Sequence, residues 1–442
     1  MRPSRAAAIV AAAVLACPAA VLATAPAVAV ESKGVEMPAF YDPPTSIPST
    51  PGTVIRTEPM PTALNLPVVF PGTSTRLMYS TTDSNGLPAP ATGALIRSTK
   101  SWGGPGPRPV VAFAFGTIGQ GDQCAPSYGL EHPLLIGIGS DGGTFNANYE
   151  VVQMSGLLAK GYDVALSDYI GLGSTDRLHT YMNRADQAHA LLDVVRAVRN
   201  LPDSPIVAGT KVGLWGYSQG GGAVAAAAEL QPTYAPDVNL VGAYAGAPPA
   251  NLHEVIKGVE KNAIAAVLGY TLNGLIQSYP ELRPVVDARM NDKGFAALRD
   301  ISTQCIPDSA ATYGFSSSTE WTKDGKSLTE IIAELPHVRD IVDEQQIGTR
   351  KPTAPVLVTT KLSDGTVPHK QARQLAVDWC GKGARVTYVP LGLPALPGDT
   401  DRGTLHHIAG VPEGLPTASI WMQKRFEGAS SVNSCPIIRA LP

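Results

Sequence analysis

Residues 211–230 constrain this chain more than any other stretch. The apolar run KVGLW is followed at once by Gly216-Tyr217-Ser218-Gln219-Gly220, and that by an alanine-rich segment of helical character over 219–230. A buried strand that turns into a helix within so few residues brings two backbones together where side chains would stand. Glycines at 216 and 220 are therefore steric requirements. The pattern Gly-x-Ser-x-Gly in this strand-to-helix setting presents the serine hydroxyl on a strained turn at the helix amino end. There the backbone N–H of Gln219 is placed to stabilise an oxyanion, and Ser218 becomes a candidate nucleophile.

The turn sits inside a longer alternation. Strand-like runs at 110–115, 162–167, 211–215, 239–245, 355–360 and 384–389 alternate with helical patterns at 147–160, 184–200, 219–230, 369–379 and 416–427. Such alternation predicts an α/β fold with a mostly parallel central sheet covered by helices on both faces. It breaks between 247 and 345, where helical patterns follow one another without a strand. A chain of 442 residues exceeds what one core usually holds, so this block is the natural home of the excess. Its apolar runs at 263–268 and 270–276 would be exposed in a free-standing domain, which favours a helical cap, or lid, over the site. The expected organisation is a Pro-rich lead-in without periodicity at 30–65, a core split into 66–246 and 346–442, and the cap insertion at 247–345.

Residues 1–29 read as an export leader: two arginines, the apolar run AAAIVAAAVLA, and Ala27-Val28-Ala29 as a cleavage site. Cys17 lies within it, and the Pro18 that follows speaks against lipid attachment there. No later stretch is long and apolar enough to span a bilayer, so the expectation is a secreted, soluble protein. Cleavage leaves Cys124, Cys305, Cys380 and Cys435, an even count that suits two disulfides in any of three pairings. None has the spacing of a structural zinc site, and no metal or cofactor is expected. The formal charge of −3 is too small to attract a polyanion, which argues against nucleic acid as a partner.

A serine nucleophile needs a base and an orienting carboxylate, which in this fold follow it in the order Ser, Asp, His. Asp364 leaves the strand PVLVTT at its carboxyl end, where catalytic residues of open α/β sheets collect. Asp343, Asp378, Asp399 and Asp401 read instead as solvated charges. His406 and His407 follow the last strand and a long Gly/Pro loop and precede the final helix, so one of them is the expected base and spacing leaves the choice open. Asp168, after a strand, reads as a structural loop carboxylate, and Tyr217 as packing beneath the turn.

These segments together carry a resemblance. Gly116-Thr117-Ile118-Gly119 running into Asp122-Gln123-Cys124-Ala125-Pro126-Ser127, Ser167-Asp168-Tyr169-Ile170-Gly171-Leu172-Gly173, GYSQGG at 216–221, Asp364 with Val367-Pro368, and the terminal stretch from His407 to Cys435 resemble the secretory lipase family of α/β-hydrolases, of the yeast lipase A type with actinobacterial relatives. The resemblance implies an extracellular serine esterase or triacylglycerol lipase with a helical cap, working on a lipid or other ester substrate without a metal. It implies Ser218 as nucleophile, Asp364 as acid and His407 as base, with oxyanion N–H groups from Gln219 and from the Thr117/Ile118 turn. It also implies disulfides Cys124–Cys305 and Cys380–Cys435. One position departs from the pattern: Phe115 precedes Gly116 where bacterial relatives commonly carry His. The same residues would serve an acyltransferase that moves acyl chains to an alcohol or cell-envelope sugar. A non-catalytic lipid-binding protein would use the groove without the chemistry.

Overall fold

The computed structural model describes residues 30–62, 69–140, 142–393, 398 and 401–442. The leader assigned to 1–29, its cleavage site at Ala29, and Asp399 lie outside the described residues. Two short strands, β1 (Val30–Ser32) and β2 (Val35–Met37), pair antiparallel. The strands β3 (Val54–Met60), β4 (Gly72–Thr82), β5 (Pro88–Ser98) and β6 (Val110–Ala114) follow. A hairpin of β7 (Leu134–Gly139) and β8 (Gly142–Ala147) stands apart from the main sheet. The rest are β9 (Asp163–Ile170), β10 (Val212–Tyr217), β11 (Leu240–Gly246), β12 (Val356–Lys361) and β13 (Val386–Leu391).

Nine strands form one sheet in the order β13-β12-β11-β10-β6-β9-β5-β4-β3. From β13 to β9 every pairing is parallel, and β5, β4 and β3 extend the sheet antiparallel. This is the α/β-hydrolase architecture. The helices Arg184–Arg199, Gln219–Tyr234 and His369–Gly381 cover one face and share a core with Val110, Ala112 and Ala114 of β6. Val151–Ala159 and the long last helix, Leu405–Phe426, cover the other, packing on Val111 and Phe113. Burial on both faces explains why β6 reads as an unbroken apolar run rather than an alternation.

Several expectations are corrected. The segment 54–98 supplies three strands, although its first part reads as an aperiodic lead-in. β5 buries almost all of its length with Ala, Pro and Gly side chains, which carry little strand signal. Asp168 lies inside β9 rather than in a loop, buried and accepting hydrogen bonds from Ser127 N (2.7 Å) and Thr92 Oγ1 (2.7 Å). The helix expected from 147 starts at Val151, because Ala147 ends β8. The final helix begins at Leu405 instead of 416, carrying Pro412 and Pro416 within it.

Between β11 and β12 lie seven α-helices, from Leu252–Val259 to Pro336–Glu344. They bury an apolar cluster of their own, including Leu268, Leu275, Ile301 and Ile332, to which Tyr181, Met182 and Val367 contribute from outside the block. Antiparallel backbone contacts join the block to the loop after β6: Gln120 N–H donates to Gln304 O (3.0 Å) and Ile306 N–H to Ile118 O (2.8 Å). The Cys124–Cys305 disulfide closes the same seam, and Cys380–Cys435 ties the C-terminal segment to the helix His369–Gly381. Among the described residues no helix is long and apolar enough to cross a membrane.

Candidate active site

The turn from β10 into the helix Gln219–Tyr234 holds Ser218 at φ 57° and ψ −125°, a left-handed conformation that costs energy for any side chain. Its neighbours show why. A Cβ on Gly220 would lie 2.0 Å from Ala114 O, and one on Gly216 2.4 Å from the Gly220 carbonyl carbon, so β6, the turn and the helix meet backbone to backbone. Gln219 opens the helix, and its N–H is among those an α-helix leaves without an internal partner. The Gln219 side chain is anchored by buried His179. His179 Nδ1 donates to Ile170 O (3.1 Å), which leaves Nε2 bare to accept from Gln219 Nε2 (3.0 Å). Burial pushes His179 down to about 4, so it stays neutral in that arrangement.

Three of the candidate residues converge. His407 Nδ1 lies 2.6 Å from Asp364 Oδ2 and His407 Nε2 2.8 Å from Ser218 Oγ. An ionised carboxylate only accepts, so Nδ1 carries the proton and Nε2 is the acceptor for the Ser218 hydroxyl. Asp364 is itself fixed, its Oδ1 accepting the N–H groups of Thr366 (3.0 Å) and Val367 (2.8 Å). Burial works against charge on His407, but the Asp364 carboxylate overrides it and holds the imidazole above its ordinary value. His406 is turned away, with Nδ1 donating to Ser363 O (3.0 Å). Both histidines stand in the first turn of the last helix, not in the preceding loop.

Asp401, read from the sequence as a solvated charge, is buried and receives the N–H groups of His406 (2.9 Å) and His407 (3.2 Å). It supplies a negative charge where the helix exposes unpaired donors, and thereby fixes the helix start that carries His407. The signal for it, a carboxylate just before a helix, is hidden because two prolines displace the apparent helix start. Tyr217, expected to pack beneath the turn, donates its hydroxyl to His407 O (2.8 Å) and also forms part of the wall of the cavity that Ser218 and His407 open into.

Ser218 and His407 open into a cavity of about 410 Å³ whose wall includes Thr117, Tyr149, Glu150, Ile306 and Ile408. The helices between β11 and β12 contribute Ile306, Pro307 and Ala310 to it. Of the three residues expected to give oxyanion N–H groups, Thr117 lines the cavity, whereas Gln219 and Ile118 do not. Ile118 is buried with its carbonyl taken by Ile306.

Side chains hold that turn on every side. Tyr169 Oη donates to Phe115 O (2.6 Å), and Tyr149 Oη to Thr117 O (2.9 Å). Gly116 N–H donates to Glu150 Oε2 (2.9 Å), and the Thr117 and Tyr181 hydroxyls lie 2.6 Å apart. Burial pushes the Glu150 carboxyl up to about 8. Neither Tyr149 nor Glu150 stands in a sequence motif, so only the fold reveals them. Among the described residues no cluster of three or more His, Cys, Asp or Glu side chains is arranged to hold a metal ion.

Comparison with known proteins places this geometry in context. A family model described as "Secretory lipase" matches residues 137–434. A curated relative from Mycobacterium tuberculosis, named a "Probable inactive lipase", is 27% identical over 392 residues, covering 88% of this chain and 82% of its own. Lipase 10 of Candida albicans is 26% identical over 408 residues, covering 90% and 82%. Among solved structures, Candida antarctica lipase A in its closed state superposes with a TM-score of 0.74 at 22% identity, covering 89% of this chain and 87% of that one. A rice cell wall degrading esterase from Xanthomonas oryzae gives 0.67 at 19% identity, covering 86% and all of its own chain.

Proposed function

The chain belongs to the secretory lipase family of carboxylic ester hydrolases, and on that premise we propose that it is an exported serine hydrolase acting on acylglycerols or related water-insoluble esters through Ser218, His407 and Asp364. The observation that carries the reading is the continuous line of hydrogen bonds from Asp364 through His407 to the Ser218 hydroxyl. That line matters because one relative is named inactive and another is named a lipase. Family membership alone does not separate the two, and an assembled nucleophile and base favour the active reading.

In the proposed mechanism His407 Nε2 takes the Ser218 proton as the oxygen attacks the ester carbonyl. Asp364 holds the imidazole in the required tautomer and offsets its positive charge. The N–H groups of Gln219 and Thr117 receive the oxyanion, a contribution of about 3 to 4 kcal/mol to lowering the barrier. The alcohol departs with the proton from His407, and water, activated by the same base, releases the acid from the acyl-enzyme. The helices between β11 and β12 serve in this reading as the cap, since Ile306, Pro307 and Ala310 face the cavity. Exposed Leu134, Ile136, Ile138 and Phe145 on the β7–β8 hairpin support a substrate presented at a lipid–water interface. Two disulfides support export to an oxidising compartment.

Ser218→Ala tests the assignment. Hydrolysis of p-nitrophenyl butyrate should fall by at least about 10³-fold with an unchanged thermal melt, and labelling by a fluorophosphonate should vanish. Activity retained in the variant would remove Ser218 from the mechanism.

A further inference from the structure

Glu150 is a buried carboxyl group that the mechanism above does not use, yet it forms part of the same cavity wall as Ser218 and His407. Its placement is determined from the sheet outward. Trp215 Nε1 of β10 can only donate, and it donates to Gln153 Oε1 (2.9 Å). The Gln153 amide is thereby oriented, and its Nε2 donates to Glu150 Oε1 (3.1 Å). The second oxygen, Oε2, accepts the Gly116 N–H at 2.9 Å. The carboxyl thus bridges β10, one strand from the sheet centre, to the turn that bears Thr117. A Cβ at residue 116 would lie 2.7 Å from Tyr149 Oη, so Gly116 is what lets the Tyr149 hydroxyl close on the turn beside Glu150.

We propose that Glu150 is a positioning residue for ester cleavage at Ser218: its carboxyl group, held by Gln153, aims the Thr117 N–H at the oxyanion through its bond to the neighbouring Gly116 N–H. The inference rests on the reading of Ser218 as nucleophile. A carboxyl without charge suits this task, and the reason is electrostatic. The transition state places negative charge beside this turn, and an ionised carboxylate in the same apolar cavity would oppose it. The groups that face Glu150 offer no fixed positive charge to compensate. Tyr149 precedes it, Tyr169 comes from β9 and Tyr244 from β11, Gln153 from its own helix, and His407 lies in the same cavity. Burial raises the Glu150 carboxyl, so it holds its proton at neutral pH and loses it as pH rises through about 8.

The test compares the wild-type enzyme with Glu150→Ala and Glu150→Gln in kcat and KM for p-nitrophenyl butyrate from pH 6 to 9, with fluorophosphonate labelling of Ser218 as a second readout. Glu150→Ala is expected to lose kcat on the order of tenfold or more at pH 7 while KM moves by less than about threefold, because the turn loses its support while the apolar residues of the cavity wall stay in place. Glu150→Gln, whose one carbonyl oxygen can accept the Gly116 N–H but not also the Gln153 Nε2–H, and which carries no proton to lose, should restore part of that kcat. It should also lack the alkaline decline expected of the wild type near pH 8. A folded Glu150→Ala with wild-type kcat overturns the proposal, as does a Glu150→Gln no better than Glu150→Ala at pH 7 or one that keeps the wild-type alkaline decline. Because labelling and the Ser218→Ala result report on the nucleophile independently, those outcomes leave the reading of Ser218 untouched, and failure of the nucleophile shows in them first.

Discussion

At the scale of single residues, the site separates into atoms that meet the substrate and atoms that aim them. Ser218, His407 and the Thr117 N–H belong to the first group in the proposed mechanism, and Asp401 and Tyr217 to the second. Asp401 holds the N–H groups of His406 and His407, so it governs where the imidazole stands relative to Ser218. Asp401→Ala is expected to lower kcat by about 10- to 100-fold while leaving KM within about threefold, since misplacement of a general base by an ångström is costly. Asp401→Asn, which retains an acceptor, should recover part of the loss. Steady-state kinetics of the two variants checks this, and equal impairment of kcat and of substrate binding would count against a positioning role. Ser218 and Asp364 were legible in the sequence because each sits where a strand ends. Glu150 was not, because its role depends on which distant backbone N–H comes within reach, and Asp401 was not, because Pro412 and Pro416 hid the helix start that it caps.

At the scale of elements, the seams between segments matter as much as the segments. The Cys124–Cys305 bridge closes a loop of 181 residues and Cys380–Cys435 one of 55. In a chain-entropy account these restrict the unfolded state by about 5 and about 4 kcal/mol respectively. Replacing either pair with alanine should lower the melting temperature, which differential scanning calorimetry reads. The Cys124–Cys305 variant alone should also lose activity well below its melting point, because that seam joins the loop after β6 to the helices facing the cavity. Loss of activity in both variants alike would argue that the seam has no special bearing on the site. Element boundaries show where sequence patterns mislead. Helical periodicity located Arg184–Arg199 closely, whereas Pro412 and Pro416 concealed the first eleven residues of the last helix. The strand β5 escaped because Ala, Pro and Gly make up much of it.

At the scale of the whole molecule, buried acids set the response to pH. Burial pushes Asp168 and Asp186 up to about 6, Asp122 to about 7 and Glu150 to about 8. A carboxyl whose pKa is raised on folding keeps its proton longer in the native state than in the unfolded chain. Stability is then present below the unfolded pKa near 4 and is lost as pH rises through the folded values. His407, raised beside Asp364, adds a loss of the same sign, whereas His179, lowered by burial, costs stability as pH falls from about 6.5 toward 4. The melting temperature should therefore fall between about pH 6 and pH 8, and Glu150→Gln should make the fall shallower. A thermal-shift series across that range decides it, and a flat or rising profile would contradict the assignment.

The sequence by itself determined the strand-turn-helix at Ser218, the parallel core around it, the identity of Asp364 as the residue leaving a strand end, and a count of cysteines that suits two bridges. These follow from period, turn sterics and composition, which are local properties of the chain. Only the tertiary structure decided that His407 and not His406 reaches Ser218, that Thr117 and not Ile118 lines the cavity, and that Glu150 and Asp401 hold the turns behind them. Those outcomes depend on which side chains and N–H groups distant segments bring within about 3 Å of one another. Contacts such as Ser218–His407, 189 positions apart, and Gly116–Glu150, 34 apart, leave no periodic trace in either segment.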